Sequence, residues 1–155
     1  MTRAFLALGS NLGDREAELR RAVGAMTEVV AASAVYETDP VGGPEGQGPY
    51  LNMVVQLETK RSPQQLLGTC RALEAVAGRV RDVHWGPRTL DVDVIWVDGV
   101  TMTDPELEVP HPRFRERPFV LAPLAELAPD IVATGWEEGF DHLGVYRLGP
   151  LEVIP

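Results

Sequence analysis

The sequence predicts an α+β protein built on a ferredoxin-like antiparallel sheet with helices packed on it. Three observations carry that expectation. Strand and helix patterns interleave as strand, helix, strand, strand, helix, strand. The helical stretches show one apolar stripe each, the pattern of a helix lying on a sheet. Strand–helix units are too few for a doubly wound nucleotide fold.

A first strand is expected over 4–8, followed by a tight turn at Gly9-Ser10-Asn11-Leu12-Gly13. Asp14 can cap the next helix, with Glu16 and Glu18 in its first turn where the helix dipole favours acids. Leu19, Val23, Met26 and Val30 form its buried stripe. A second strand is expected over 32–39. Seven of the eleven residues from Asp39 to Pro49 are Gly or Pro, so this stretch reads as a loop, either a mobile lid or a plain connector. In the strand expected over 50–58, Leu51, Met53, Val55 and Leu57 share one face. Tyr50, Asn52, Val54 and Gln56 share the other. Ser62-Pro63-Gln64-Gln65 is a capping-box start for a helix whose stripe is Leu66, Cys70, Leu73 and Ala77, with Gly78 as its stop. A second long loop runs over 79–88.

Next comes a buried strand, Arg88-Thr89-Leu90-Asp91-Val92-Asp93-Val94-Ile95-Trp96-Val97, with Trp85-Gly86-Pro87 leading into it. Alternation puts Leu90, Val92, Val94 and Trp96 on one side and Asp91, Asp93, Ile95 and Val97 on the other. Asp98-Gly99 signals a hairpin, with a return strand over 100–102. A short helix containing Pro123 is expected over 119–127. Beyond Pro129 the chain is punctuated by glycine and ends in an apolar stretch, 148–154, that reads as a strand or a partner contact.

The 155 residues fit a single domain, 1–155, with a core large enough to need no staples. Cys70 is the only cysteine, which rules out an internal disulfide and fits a reducing compartment. No signal peptide and no bilayer-length apolar run is present, so a cytoplasmic location is expected. The net charge of −9 argues against nucleic acid as a partner. Against that acidic background stand two arginine islands: Arg79, Arg81 and Arg88, then Arg113, Arg115 and Arg117. Each could hold a local anion, because distant charge is screened.

Asp91 and Asp93 are the chemical centre of the sequence. On one strand face their Cα atoms lie roughly 6.6 Å apart. Two like charges on an apolar strand call for a cation, unless the strand end simply opens to water. Magnesium fits, since it is held by one or two carboxylates together with phosphate oxygens. No Walker A loop accompanies the sole lysine, Lys60. Side chains must therefore position any triphosphate, and phosphoryl transfer depends chiefly on positioning and electrostatics. His111, fixed between Pro110 and Pro112 beside an arginine island, can donate to a phosphate. Ser10 lacks the surroundings of a nucleophile.

The segments Ala7-Leu8-Gly9-Ser10-Asn11-Leu12-Gly13, Tyr50-Leu51-Asn52, Gly78-Arg79-Val80-Arg81, Trp85-Gly86-Pro87-Arg88-Thr89-Leu90-Asp91-Val92-Asp93 and Val109-Pro110-His111 occur in this order. Together they resemble the 6-hydroxymethyl-7,8-dihydropterin pyrophosphokinase family of folate biosynthesis, over about residues 4–129. The resemblance implies ATP-dependent pyrophosphoryl transfer to the pterin hydroxymethyl group, with release of AMP and two mobile loops closing over the site. It implies two magnesium ions on Asp91 and Asp93, Asp93 also helping to deprotonate the hydroxyl. Arg79 and Arg88 would bind phosphate and stabilise the transferred charge, His111 and Arg117 would contact nucleotide phosphates, and Glu74 would face the nucleotide. The pterin would stack between Tyr50 and Phe119. Asn52 would read its edge, with backbone contacts from Thr38 and Val41. Two rival readings are a non-catalytic ferredoxin-like binding module and a nucleotidyltransferase. The second would need the Gly-Ser turn and the acidic pair much closer in sequence than Ser10 and Asp91.

Overall fold

The computed structural model of the chain describes residues 1–39, 48–78, 90–139 and 144–151. Most of the two expected loops, at 40–47 and 79–89, lies outside these residues. The elements run β1 (Thr2–Ser10), α1 (Arg15–Ala25), β2 (Val29–Ala32), β3 (Val35–Thr38), β4 (Tyr50–Thr59), α2 (Pro63–Val76), β5 (Asp91–Val97), β6 (Met102–Thr103), β7 (Glu108–Val109), α3 (Pro118–Leu127) and β8 (Val145–Gly149). The main sheet has the order β5-β1-β4-β3-β8, with β2 also paired to β4, and every pairing in it is antiparallel. This is the α+β, ferredoxin-like arrangement that the interleaved pattern predicts.

Local signals set the helix starts. Asp14 caps α1, its Oδ1 accepting the Ala17 N–H at 3.1 Å. At α2 the capping box closes both ways: Ser62 Oγ accepts the Gln65 N–H at 3.2 Å, and Gln65 Oε1 accepts the Ser62 N–H at 2.8 Å. Gly78, at φ +67, follows α2 in the left-handed conformation that a helix stop favours.

Two apolar clusters sandwich the sheet. On one face Leu19, Ala22 and Met26 of the α1 region and Leu66 and Cys70 of α2 pack on Leu6, Leu8, Met53, Val55, Val92 and Val94. Burial raises the pKa of the Cys70 thiol, so it stays protonated. On the other face Val120, Leu121 and Leu124 of α3 pack on Phe5, Val54, Ile95 and Phe114.

The fold departs from the sequence-based expectations at several places. Met26 already has extended backbone as the C-cap of α1, so Val30 falls in β2 instead of the helix stripe and is 57% exposed. Thr27, Val29 and Val30 are β-branched and favour that extension. Gly9 and Ser10, expected in a turn, are the last residues of β1. The strand expected over 32–39 is two, broken at Ser33. There the Ser33 hydroxyl accepts the Val54 N–H at 2.9 Å while the Ser33 N–H donates to the Val54 carbonyl at 2.9 Å. In β5 alternation holds to Val94 and then slips at a bulge: Leu6 pairs with Val94 but Phe5 pairs with Trp96, leaving Ile95 extra. Val97 consequently joins the cluster under α1 and α2, and Trp96 packs under α3, the reverse of the expected faces. Finally, the chain does turn at Gly99 (φ +74), but β6 pairs with β7 and not with β5. The outer edge of β5 is already used. Glu74 accepts the Val92 N–H at 2.9 Å, and the Ile95 carbonyl accepts the His111 N–H at 2.9 Å. The C-terminal strand, β8 beside β3, starts earlier than the apolar stretch expected over 148–154 and takes in only Leu148 and Gly149 of it; residues 152–155 lie outside the described set.

Candidate active site

The β5-β1-β4-β3-β8 order fixes which side chains meet. Residues directly opposite on neighbouring antiparallel strands point to the same face. One row across the sheet reads Asp91, Gly9, Asn52, Tyr36, Arg147. The adjacent row on that face reads Asp93, Ala7, Val54. Both rows lie on the α3 side. Asn52 and Asp91 are two strand spacings apart, about 10 Å, and between them is a residue with no side chain.

Gly9 is there for a spatial reason. A Cβ at this position would come 2.8 Å from Asn52 Oδ1, closer than real contacts allow. Asn52 cannot easily give way, since it is 7% exposed and its Nδ2 donates to Thr38 Oγ1 at 2.6 Å. Thr38, itself buried, thus acts through its side chain to fix the Asn52 amide. Tyr50 stands on the same strand face as Asn52, its ring 3.5 Å from that same Cβ position. Phe119, in the first turn of α3, is half-buried against the α3-side cluster. It also lies 5.8 Å, ring centroid to guanidinium carbon, from Arg117.

Asp93 is exposed and Asp91 half-buried. Asp93 lines a cleft of about 270 Å³ with His111, Leu67, Glu106, Leu107 and Glu108. A second hollow of about 450 Å³ adjoins it, walled by Gln64, Gly68 and Arg71 of α2. Glu74 is only 6% exposed and faces the strand: its Oε2 holds the amide between the two aspartates. It braces the strand that carries them.

His111 is anchored at both ends. Its backbone is bonded to Ile95, and its Nδ1 accepts the Arg113 N–H at 3.1 Å. Burial, then Arg117 and Arg113, push its pKa down to about 4, with Glu108 acting in the opposite sense. At neutral pH the ring is therefore uncharged, and with Nδ1 accepting, its proton sits on Nε2 as a donor.

The fold thus brings Asp91, Asp93, Asn52, Thr38, Tyr50 and Phe119 to one face, with His111 in the cleft beside Asp93. Val41, Arg79 and Arg88 lie outside the described residues. Ser10 is fully buried on the opposite face, opposite Leu51, which removes it from the chemistry. The sequence context of Gly9 reads as a turn, although a glycine inside a strand is a known sign of close approach.

Magnesium suits the donor set. Among the described residues no cluster of three or more His, Cys, Asp or Glu could hold a metal. Two hard carboxylates on one rigid strand beside a cleft match an ion that takes its remaining ligands from phosphate and water.

The profile of the 7,8-dihydro-6-hydroxymethylpterin-pyrophosphokinase (HPPK) family matches residues 5–129. A Methylorubrum extorquens 2-amino-4-hydroxy-6-hydroxymethyldihydropteridine pyrophosphokinase is 47% identical over 87% of this chain and 88% of its own length. The Bacillus subtilis protein of the same name is 44% identical over 92% of this chain and 87% of its own. Among solved structures, Plasmodium falciparum HPPK-DHPS shares the fold, with a TM-score of 0.61 and 13% identity, covering 84% of this chain and 40% of that one.

Proposed function

The chain belongs to the 7,8-dihydro-6-hydroxymethylpterin-pyrophosphokinase family, and from that premise we propose how this sheet face carries out the transfer. The reaction is ATP-dependent pyrophosphoryl transfer to the hydroxymethyl group of 6-hydroxymethyl-7,8-dihydropterin, a step of folate biosynthesis. The hydroxymethyl oxygen attacks the β-phosphorus, the bond from that phosphorus to the AMP oxygen breaks, and AMP leaves.

The observation that carries the assignment of roles is the row centred on Gly9. A flat bicyclic ring can lie over the side-chain-free position, edge toward the Asn52 amide, faces toward Tyr50 and Phe119. Its one-carbon arm then points along the row to Asp91, with Asp93 in the row beside it. Those two carboxylates would hold two magnesium ions on the ATP phosphates, and Asp93 would accept the hydroxyl proton. Bound there, magnesium would neutralise phosphate charge and make the attacked phosphorus more electrophilic. His111 would donate from Nε2 to a phosphate oxygen without adding charge, and Arg117 would add a cationic contact. Glu74 keeps the acid-bearing strand in place. The phosphate roles of Arg79 and Arg88, and the Val41 backbone contact, rest on the family resemblance alone.

The test is product identity. Incubated with ATP, magnesium and the hydroxymethyl-dihydropterin, the protein should release AMP; release of ADP would overturn the pyrophosphoryl assignment. Among the described residues no helix is long and apolar enough to cross a membrane.

A further inference from the structure

One polar cluster lies outside the groups assigned above to either substrate. Glu126 stands in the last turn of α3, where the helix dipole disfavours an acid. Its position there is explained by what it holds. Oε1 accepts the Ala34 N–H at 3.0 Å, at the break between β2 and β3. Oε2 accepts the Tyr36 hydroxyl, and Arg147 of β8 lies 3.6 Å from the same oxygen. One carboxylate thus ties β3 and β8 to the end of α3.

Tyr36 is the directly paired neighbour of Asn52, on the same face, and is 8% exposed. In the strand order it stands on the side of Asn52 opposite Gly9. The hydroxyl draws the tyrosine ring toward α3, and Thr38 holds the Asn52 amide from the next position along the strand. Phenylalanine would fill the same volume, so the hydroxyl is what makes the ring's position definite.

We propose that Tyr36 and Glu126 are a positioning pair that sets the Asn52 end of the site, and so governs capture of the pterin without contributing to nucleotide binding or to the transfer step. The proposal rests on the reading of Asn52 as the pterin-edge contact.

Three variants test it in steady-state kinetics, with thermal melts alongside. Tyr36→Phe should raise the pterin KM about five- to tenfold, the scale of one lost hydrogen bond. Its ATP KM and kcat should stay within about twofold of the parent. Glu126→Gln should shift the same parameter in the same direction, and the double variant should be no worse than the worse single variant, because the two side chains act as one unit. A Tyr36→Phe protein that melts lower but keeps its pterin KM overturns the proposal, as does an equal rise in both KM values. Asn52→Ala separates the two levels. If it raises the pterin KM while Tyr36→Phe does not, the positioning role alone falls; if it leaves the pterin KM unchanged, the reading of the site falls and the proposal with it.

Discussion

The two faces of the sheet are covered by the same kind of element and to different extents. Beneath α1 and α2 the strands carry Leu6, Leu8, Met53, Val55, Val92 and Val94 in one apolar surface. Beneath α3 the apolar contacts gather around Phe5, Val54, Ile95 and Phe114. The rows that follow along the same face carry Asp93, then Asp91, Gly9, Asn52 and Tyr36. On the function proposed above, the sealed face supplies rigidity and the partly covered face supplies chemistry. A strand anchored on one side by close-packed side chains can present charged groups on the other without moving them.

The sharpest way to break this contrast is to alter one residue on each face. Asp93→Ala should lower kcat by at least about 10²-fold, the scale for losing one preorganised electrostatic group, with an unchanged circular dichroism spectrum. Near-normal turnover would remove Asp93 from the mechanism. Leu66→Ala, at a site with no exposure, should do the opposite. It should cost about 2–5 kcal/mol of stability in denaturant titration while the folded fraction keeps its ordinary KM values. A selective kinetic defect there would mean that the sealed face is not merely a support.

A smaller effect sharpens the picture of the floor. Gly9→Ala forces a Cβ against Asn52 Oδ1 and should raise the pterin KM by about tenfold, leaving the ATP KM unchanged. Equal changes in both would show that the position serves the strand and not the ring.

The smallest effect concerns acid. The folded His111 pKa of about 4 lies below its ordinary 6.5, so between those values the unfolded chain binds more protons. The stability that the neutral ring allows is fully present above about pH 6.5 and is lost as pH falls toward 4. His111→Asn should therefore lose less melting temperature between pH 7 and pH 5 than the parent protein. An identical loss would contradict burial of a neutral imidazole.

Much of this was legible in the residue order because it is local. The caps at Asp14 and Ser62, the stop at Gly78 and the alternation in β4 each depend on neighbours a few positions away. The acidic pair was legible for the same reason, since Asp91 and Asp93 share a face on any strand. What could not be read depends on register. Nothing near Gly9 states that Asn52 and Asp91 flank it, because that pairing is set by where three separate strands dock. The bulge at Ile95, which swaps Trp96 and Val97 between faces, answers to the same long-range fit. So does the carboxylate of Glu126, which meets Tyr36 from 90 residues away.

The central claim is that two strand-borne aspartates hold metal-loaded triphosphate on the open face. It is tested most directly by calorimetric titration of an ATP analogue with a non-cleavable α,β bridge, with and without magnesium, into the parent protein and an Asp91→Ala/Asp93→Ala variant. Binding to the parent should depend on magnesium, and that dependence should be abolished in the variant. Equal magnesium dependence in both proteins would contradict it.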